Sequence, residues 1–393
     1  MPVITTPSDL TPGIKETIYQ PAPDRLESLD VFRGLTIASM IIVNQLPGDQ
    51  NYAPLEHAPW NGWTHTDLIF PFFLFIVGVS MVLSFSARQE RGSSKWRLLF
   101  HTVRRAIIIY GIGFFLAAFP FYEGILSRVR IMGVLQRIAL VYLLAGIIYL
   151  VTNKKVRGAL VVLLLVIYFL LMKFYPVPGI GPGVLTPAGN LAGYIDRMLM
   201  PGHLWSVSKI WDPEGLLSTM GAMATCLIGT FVGEALRDVE SWRRRVVALV
   251  LAAVAGICFG YAWDPWFPIN KNLWTSSYVL FTAGYAMALL AALHLIIDVA
   301  GLKRVWTRPF IWLGANPILA FTLSTFTAKY FFILYKVPYE GHYVSAAGYI
   351  YDRWFQHMYT DERNSSLAFV LAYLLIWIVV CGVLYRQKIF VRI

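Results

Sequence analysis

The chain has 393 residues, of which 57% are hydrophobic and only 14% charged, and its mean hydropathy is +0.60. Soluble domains carry nearer a quarter charged residues and about 45–50% apolar ones, so a soluble globular protein is excluded. The formal charge of +11 would suit a nucleic-acid partner in a soluble protein. In a membrane protein its distribution matters more than its sum, and no nucleic-acid partner is expected.

In chain order, the first stretch, MPVITTPSDLTPGIKETIYQPAPDR, is polar and proline-rich with no apolar core, unlike a signal peptide. Residues 1–28 are expected to form a flexible cytoplasmic tail, and 29–393 a single transmembrane domain. A helix needs about 20 apolar residues to cross a bilayer. Such runs fall at 29–46, 67–86, 101–120, 132–152, 158–175, 214–236, 244–262, 273–298, 309–335 and 366–386. Arg88, Arg91, Lys95, Arg97, Arg104 and Arg105 surround the connection between the second and third runs. Lys154, Lys155 and Arg157 join the fourth to the fifth, and Arg237, Arg243, Arg244 and Arg245 the sixth to the seventh. Lys303, Arg304 and Arg308 follow the eighth, and Arg386, Lys388 and Arg392 end the chain. With Lys15, Arg25 and Arg33, these are about two thirds of the 33 lysines and arginines, all on one side of an alternating path. The opposite first loop, 47–66, has none. This positive-inside pattern predicts an all-α polytopic membrane protein of about ten transmembrane helices with both termini cytoplasmic.

The outward loops carry Asp49, Glu56, His57, His65, Glu123, Asp196, Asp212, Glu214, Asp264, Asp352 and Asp361, together with Trp60, Trp63, Trp205, Trp211, Trp263, Trp266 and Trp274. Interfacial tryptophan alone is ordinary; with His57, His65, His203, His342 and His357 beside it, a polar site opening outward is expected. Cys226, Cys258 and Cys381 lie in apolar runs and read as buried thiols. No CxxC or Cys/His ligand spacing is present, so neither a disulfide nor a metal is expected.

Asp30 and Arg33, three apart at the start of the first span, share a helix face, either as a local ion pair or as a receiver for an anion. Asn44 stands about 16 Å further along the same helix. It is either an interhelical hydrogen bonder or a site residue. His57, in PLEHAPWNGW, has no cation close in sequence, and an imidazole there suits a general base at neutral pH; a loop histidine is also often merely exposed. Asp67 opens the second span, where a helix N-terminus favours an anion, and is placed either to orient His57 or simply to start the helix. His65, nearer Asp67 in sequence, is expected to be interfacial. SRVRIMGVLQRIAL puts Arg130 before the fourth span and Gln136 and Arg137 within it, where an arginine normally faces the bundle interior or a cavity. Asp212, Glu214, Asn270, Lys271, Asn272 and Trp274 are expected to line an outer pocket for sugar hydroxyls, although turn and cap roles explain the first two equally well. Asn316, in LGANPILAF, is another amide within an apolar span. No GxxxxGK[ST], GxGxxG, GxSxG or HExxH occurs, which leaves ATP-driven pumping, serine hydrolysis and zinc proteolysis without support.

Taken together, LDVFRG, the VN of Asn44, HAPWNG followed by TDLIFPFFLFIVG, VRIMGVLQR, AGYIDR, DPEG, INKNLW with SSYV, and the terminal YRQKIFVRI resemble the heparan-α-glucosaminide N-acetyltransferase family and its bacterial relatives, in the family's order from about residue 26 to the end. The resemblance implies a transmembrane acyltransferase domain. It implies transfer of acetyl from cytosolic acetyl-CoA to the amine of glucosamine or a terminal glucosaminide, in the inner membrane of a bacterium. It carries the family's catalytic histidine onto His57 and the associated asparagine and aspartate onto Asn44 and Asp67. The chain lacks the family's large leading portion and one leading span, and its outer loop 176–212 is shorter, which favours a small amino sugar over a polymer. On this basis Arg33, Arg104, Arg105 and Lys388 are candidates for the CoA phosphates. The pantetheine arm is expected to rise along the first span, and Asn61, Arg130, Arg137, Asp212, Glu214, Asn270, Lys271 and Trp274 to receive the sugar. Direct transfer with His57 as base is favoured over an acetyl-His57 intermediate. Two rivals are a secondary transporter for glucosamine or N-acetylglucosamine and an O-acyltransferase acting on envelope polysaccharide. The long apolar spans leave a homodimer open.

Overall fold

The computed structural model describes residues 26–47, 51–303, 305–339 and 341–391. The tail expected over 1–25, and the charges Lys15, Arg25, Asp49, Arg304 and Arg392, lie outside these residues. The chain folds into α1 (Glu27–Asn44), α2 (His65–Glu90), α3 (Lys95–Ala118), α4 (Val134–Val151), α5 (Lys154–Phe174), α6 (Leu191–Leu199), α7 (Thr219–Asp238), α8 (Trp242–Trp263), α9 (Ser276–Leu293), α10 (Thr307–Ala315), α11 (Pro317–Lys329), α12 (Ala346–Ile350) and α13 (Glu362–Arg386). Single π-helical segments prolong α9 to Val299 and α11 to Leu334. The helix starts are chemically marked. Ser94 Oγ accepts from Arg97 N ahead of α3, and Asn153 Oδ1 from Val156 N ahead of α5.

Among the described residues nine helices are long and apolar enough to cross a bilayer, which makes this an all-α polytopic membrane protein. The first expected span, α1, has 18 residues and is not among the nine; Glu27, Asp30 and Arg33 crowd its start. The expected single span 309–335 is corrected to two helices. Asn316 (φ −129°, ψ 55°) leaves the helical region between α10 and α11, and Pro317 has no N–H with which to continue α10. The asparagine compensates by acting as a backbone surrogate: its Nδ2 donates to Ile389 O (3.0 Å) and its Oδ1 accepts from Val391 N (2.9 Å).

The alternation of loops is visible in cross-links. On the basic face, Arg157 pairs with Glu234, Arg237 Nη1 donates to Ser86 Oγ, Lys303 pairs with Glu27 (3.3 Å), and Ser28 Oγ donates to Asp298. On the opposite face, Gly62 N donates to Ile269 O (2.8 Å), Ile131 N to His203 O (3.3 Å) and Tyr52 Oη to Asn364 Oδ1 (2.6 Å). That second face also carries α6, α12 and an antiparallel hairpin, β1 (Lys336–Tyr339) with β2 (His342–Ser345). The packing is layered. The apolar stretch of α2 is 78% buried and that of α7 72%, against 17% for α8 and 28% for α3 and α5, so α2 and α7 form the centre and the others meet lipid. This corrects the expectation for Cys258, which is exposed on lipid-facing α8; Cys226 and Cys381 are buried.

Candidate functional site

The site grows from the start of α2. Thr64 caps this helix, and Asp67, three residues on, reaches back to the cap, so its Oδ2 accepts from Thr64 N (3.0 Å) and Ala58 N (3.0 Å). The loop before it is pinned by Thr64 Oγ1 donating to Glu56 O (2.5 Å) and Thr66 Oγ1 to Pro54 O (3.1 Å). This folding places His57 Nδ1 2.7 Å from Asp67 Oδ1. The Asp67 side chain is 1% exposed and that of His57 51%, a buried carboxylate under an open imidazole. An acceptor-only carboxylate at 2.7 Å fixes Nδ1 as the protonated nitrogen and leaves Nε2 with its lone pair.

A second loop, residues 264–275, closes over this pair. Asn270 is fully buried; its Nδ2 donates to Asn61 Oδ1 (3.0 Å), while its Oδ1 accepts from Leu273 N (2.9 Å). The turn so held delivers Lys271 Nζ to 3.0 Å from His57 Nε2 and 3.2 Å from Nδ1. Burial pulls the Lys271 ammonium below the ordinary lysine pKa; Glu214 and Asp67 oppose that shift, and Arg130 and Arg137 add to it. Tyr278 of α9 donates its hydroxyl to the backbone carbonyl of Asp67, tying α9 to the same point.

Beneath the loops lies a polar scaffold. Arg130 Nε donates to Asp212 Oδ2 (2.9 Å), and Arg130 also pairs with Glu214. The two carboxylates push the Arg130 pKa up against the effect of burial. Burial alone would raise Glu214, but Arg130, Arg137 and Lys271 hold it below the usual carboxylate range. Arg137 is fully buried; it donates to Gly215 O (2.8 Å) and lies 5.2 Å from the Trp274 ring centroid. Asp196 accepts from Leu216 N (2.9 Å), and burial pushes its carboxyl up to about 6.

A cavity of about 440 Å³ enters from the basic face. Its mouth holds Arg88, Arg91, His101 and Arg105, and its wall Arg33, Ser80 and Ser84. Arg33 reaches Asp30 Oδ1 (3.0 Å), Gly314 O (3.2 Å) and Ser80 Oγ (2.7 Å). Arg105 Nε is buried without a hydrogen-bond partner. Along α2 the cavity climbs from Arg91 to Phe73, six residues, or about 9 Å of helix, short of Asp67. A second cavity of about 490 Å³ lies toward the opposite face between α3, α4 and α11, bordered by Arg130, Gln136, Trp205 and Lys329.

The structure thus brings His57, Asp67, Asn61, Asn270 and Lys271 together. Asn44 is the last residue of α1 and is exposed. Asp212, Glu214 and Arg130 neutralise one another, and Arg137 and Trp274 are buried in the scaffold. His65 is exposed on the first turn of α2. Arg33 and Arg105 line the basic cavity, whereas Arg104 and Lys388 are exposed outside its wall. The cavity also runs along α2, not along α1 as expected for the pantetheine arm. Arg88, Arg91 and His101 were read from sequence only as loop charge or not at all; their spacing along two helices facing one shaft emerges only on folding.

Residues 25–191 match the family model described as heparan-alpha-glucosaminide N-acetyltransferase, catalytic. Across 94% of its length the chain is 29% identical to the heparan-alpha-glucosaminide N-acetyltransferase of Homo sapiens, covering 60% of that protein. It is 28% identical to the Mus musculus protein of the same name, over 95% of this chain and 62% of the relative. The chain therefore spans about three fifths of the length of these curated relatives. By the match over residues 25–191 and by similarity that continues through nearly all of its length, the chain is similar to the heparan-alpha-glucosaminide N-acetyltransferases.

Proposed function

We propose that this protein is a membrane-embedded N-acetyltransferase that takes acetyl-CoA at its basic, cytoplasmic face and acetylates the primary amine of glucosamine or a terminal glucosaminide at the opposite face, with His57 as general base. One observation carries the proposal: a histidine–carboxylate pair at 2.7 Å stands above a basic cavity that climbs the same helix to within about two turns of it. The cavity suits a CoA donor chemically. Arg88, Arg91 and Arg105 at the mouth match phosphates, the free Nε of Arg105 lacks a partner, and Ser80 and Ser84 with the apolar wall suit an amide-bearing arm. Acetyl-CoA supplies an activated acyl carbon; the protein supplies orientation and proton transfer. His57 Nε2 receives the proton that the acceptor amine must lose, while Asp67 holds Nδ1–H and stabilises the imidazolium that forms. The side chain of Lys271, 3.0 Å from His57 Nε2, is a cationic donor close to where negative charge would develop on the acyl oxygen. A general base contributes about 10²–10⁴-fold, so His57→Ala loses turnover by that order. The test is CoA release and acetylated sugar formed by detergent-purified protein given acetyl-CoA and glucosamine. Sugar uptake into proteoliposomes without acetyl-CoA, with no transfer, would assign the chain to transport instead.

A further inference from the structure

The reaction proposed above consumes a primary amine positioned at His57 Nε2, and the chain already holds one there. Asp67 occupies the Nδ1 side of the ring, so Nε2 is the one basic position left; Lys271 Nζ lies against the ring, 3.0 Å from Nε2 and 3.2 Å from Nδ1, and reaches the Nε2 lone pair by a short swing of its side chain. The two side chains belong to loops 214 residues apart in sequence. Their approach is enforced by backbone: Gly62 N donates to Ile269 O (2.8 Å), Asn270 Nδ2 to Asn61 Oδ1 (3.0 Å), Trp274 N to Lys271 O (3.1 Å) and Thr275 N to Asn270 O (3.2 Å). Lysine is a flexible side chain whose ordering costs up to about 2 kcal/mol of rotamer entropy, and here it is drawn to the imidazole although Glu214 and Asp67 are the charges that attract it. An acceptor amine that gives its proton to Nε2 must come into the space beside Lys271 Nζ.

We propose that Lys271 is an internal acceptor: in the absence of an amino sugar the protein acetylates Lys271 Nζ, using His57 as base. This rests on the acetyl-transfer reading. In the step, Nζ gives one proton to His57 Nε2 and forms the bond to the acetyl carbonyl carbon; the carbon–sulfur bond of the thioester breaks, and the CoA thiolate leaves, recovering the proton from the imidazolium. The product is an acetamide and free CoA, with no redox change. Burial that lowers the Lys271 pKa raises the fraction of neutral, nucleophilic amine. Lys329, which borders the second cavity, donates to Leu116 O (2.6 Å) and is not expected to react.

The experiment uses the full chain in detergent with acetyl-CoA and no sugar, followed by peptide mass mapping, with a parallel sample supplied with glucosamine. The expected result is one acetyl group on Lys271, slowed at least tenfold by saturating glucosamine and reduced about 10²–10⁴-fold in His57→Ala. Lys271→Arg, which keeps the cation but offers no acylable amine, shows no acetylation in the loop. Two results overturn the inference while leaving the transferase standing: glucosamine is acetylated but Lys271 is not, or Lys271 is modified equally in His57→Ala, as by solution chemistry. Transfer to neither amine overturns both. An acetyl group trapped on His57 in Lys271→Arg, and passed to glucosamine on its addition, overturns the direct step in favour of an acyl-imidazole.

Discussion

Three hydrogen-bond donors converge on the Asp67 carboxylate, from Ala58 N, Thr64 N and His57 Nδ1. One residue thereby starts a helix, shapes a loop and sets a tautomer. The helix needs only an acceptor there, whereas His57 needs an acceptor with no proton to offer. Asp67→Asn separates these demands. An amide N–H turned toward His57 makes Nδ1 the acceptor and moves the ring proton to Nε2, where it blocks the base. Turnover should fall about 10²–10⁴-fold, with the folded, monodisperse protein and its KM for acetyl-CoA retained; steady-state kinetics beside size-exclusion chromatography checks this. A KM effect with unchanged kcat would make Asp67 a binding residue instead. Asp196 acts on stability rather than rate. Its pKa of about 6 in the folded protein lies above the ordinary aspartate value near 3.9, so between these limits the unfolded chain holds fewer protons than the native one. Stability from this group therefore declines as pH rises from about 4 to 6, by roughly 3 kcal/mol in all. Asp196→Asn should remove that slope from the unfolding midpoint measured across pH 4–7, and an unchanged slope would assign the titration elsewhere.

At the scale of elements, the site depends on how closely α2 and α7 approach, because α2 begins at the Asp67 end and α7 follows directly from the Glu214 loop. The contact is backbone on backbone. A Cβ on Gly78 would lie 2.0 Å from Cys226 O, and one on Gly229 2.2 Å from Phe75 O. Gly229 and Gly233 stand in GTFVG, the small-xxx-small spacing that brings membrane helices together. Gly229→Ala should overpack this seam by about 1–3 kcal/mol, lowering both the unfolding midpoint and the turnover. Gly111→Ala on α3, where an added Cβ meets nothing within 4 Å, should leave both intact or gain a few tenths to 1 kcal/mol. Equal losses in the two variants would mean that helix approach is not what matters. The helices themselves were legible because long apolar runs and one-sided basic loops are strong, local signals. The break at Asn316 was not, since LGANPILAF is apolar on both sides and the amide's role exists only once residues 389–391 lie against it. The hairpin at 336–345 and helix α6 escaped for a related reason: short elements on an outer face leave little periodicity to read.

Across the whole molecule, the arrangement divides labour between two faces. His57 and Asp67 were legible in sequence because they lie ten residues apart around one helix start. Lys271 was singled out from its loop, but its partner was not foreseeable, as no local pattern reports a contact across 214 residues. Asn44 stood out in sequence as an amide within an apolar span and by the family resemblance; it is the exposed last residue of α1. The basic cavity opens where Arg88, Arg91 and Arg105 gather, and the His57 pair stands at the far end of the same helix α2. At 26 residues and 1.5 Å per residue, α2 is about 39 Å long, enough to cross the hydrocarbon core. On the proposed acetyl-transfer reading, donor and acceptor arrive from opposite sides of the membrane. Single cysteines at exposed Lys95, the first residue of α3, and at exposed Glu56, before α2, report the two faces. An impermeant maleimide should label Glu56→Cys in intact cells and Lys95→Cys only after permeabilisation. In sealed proteoliposomes sorted by that labelling, acetyl-CoA should support transfer only from the Lys95 side, and glucosamine should be acetylated only on the Glu56 side. Transfer with both substrates confined to one compartment would require the two faces to communicate through the basic cavity alone, and would end the proposal of acetylation across the membrane.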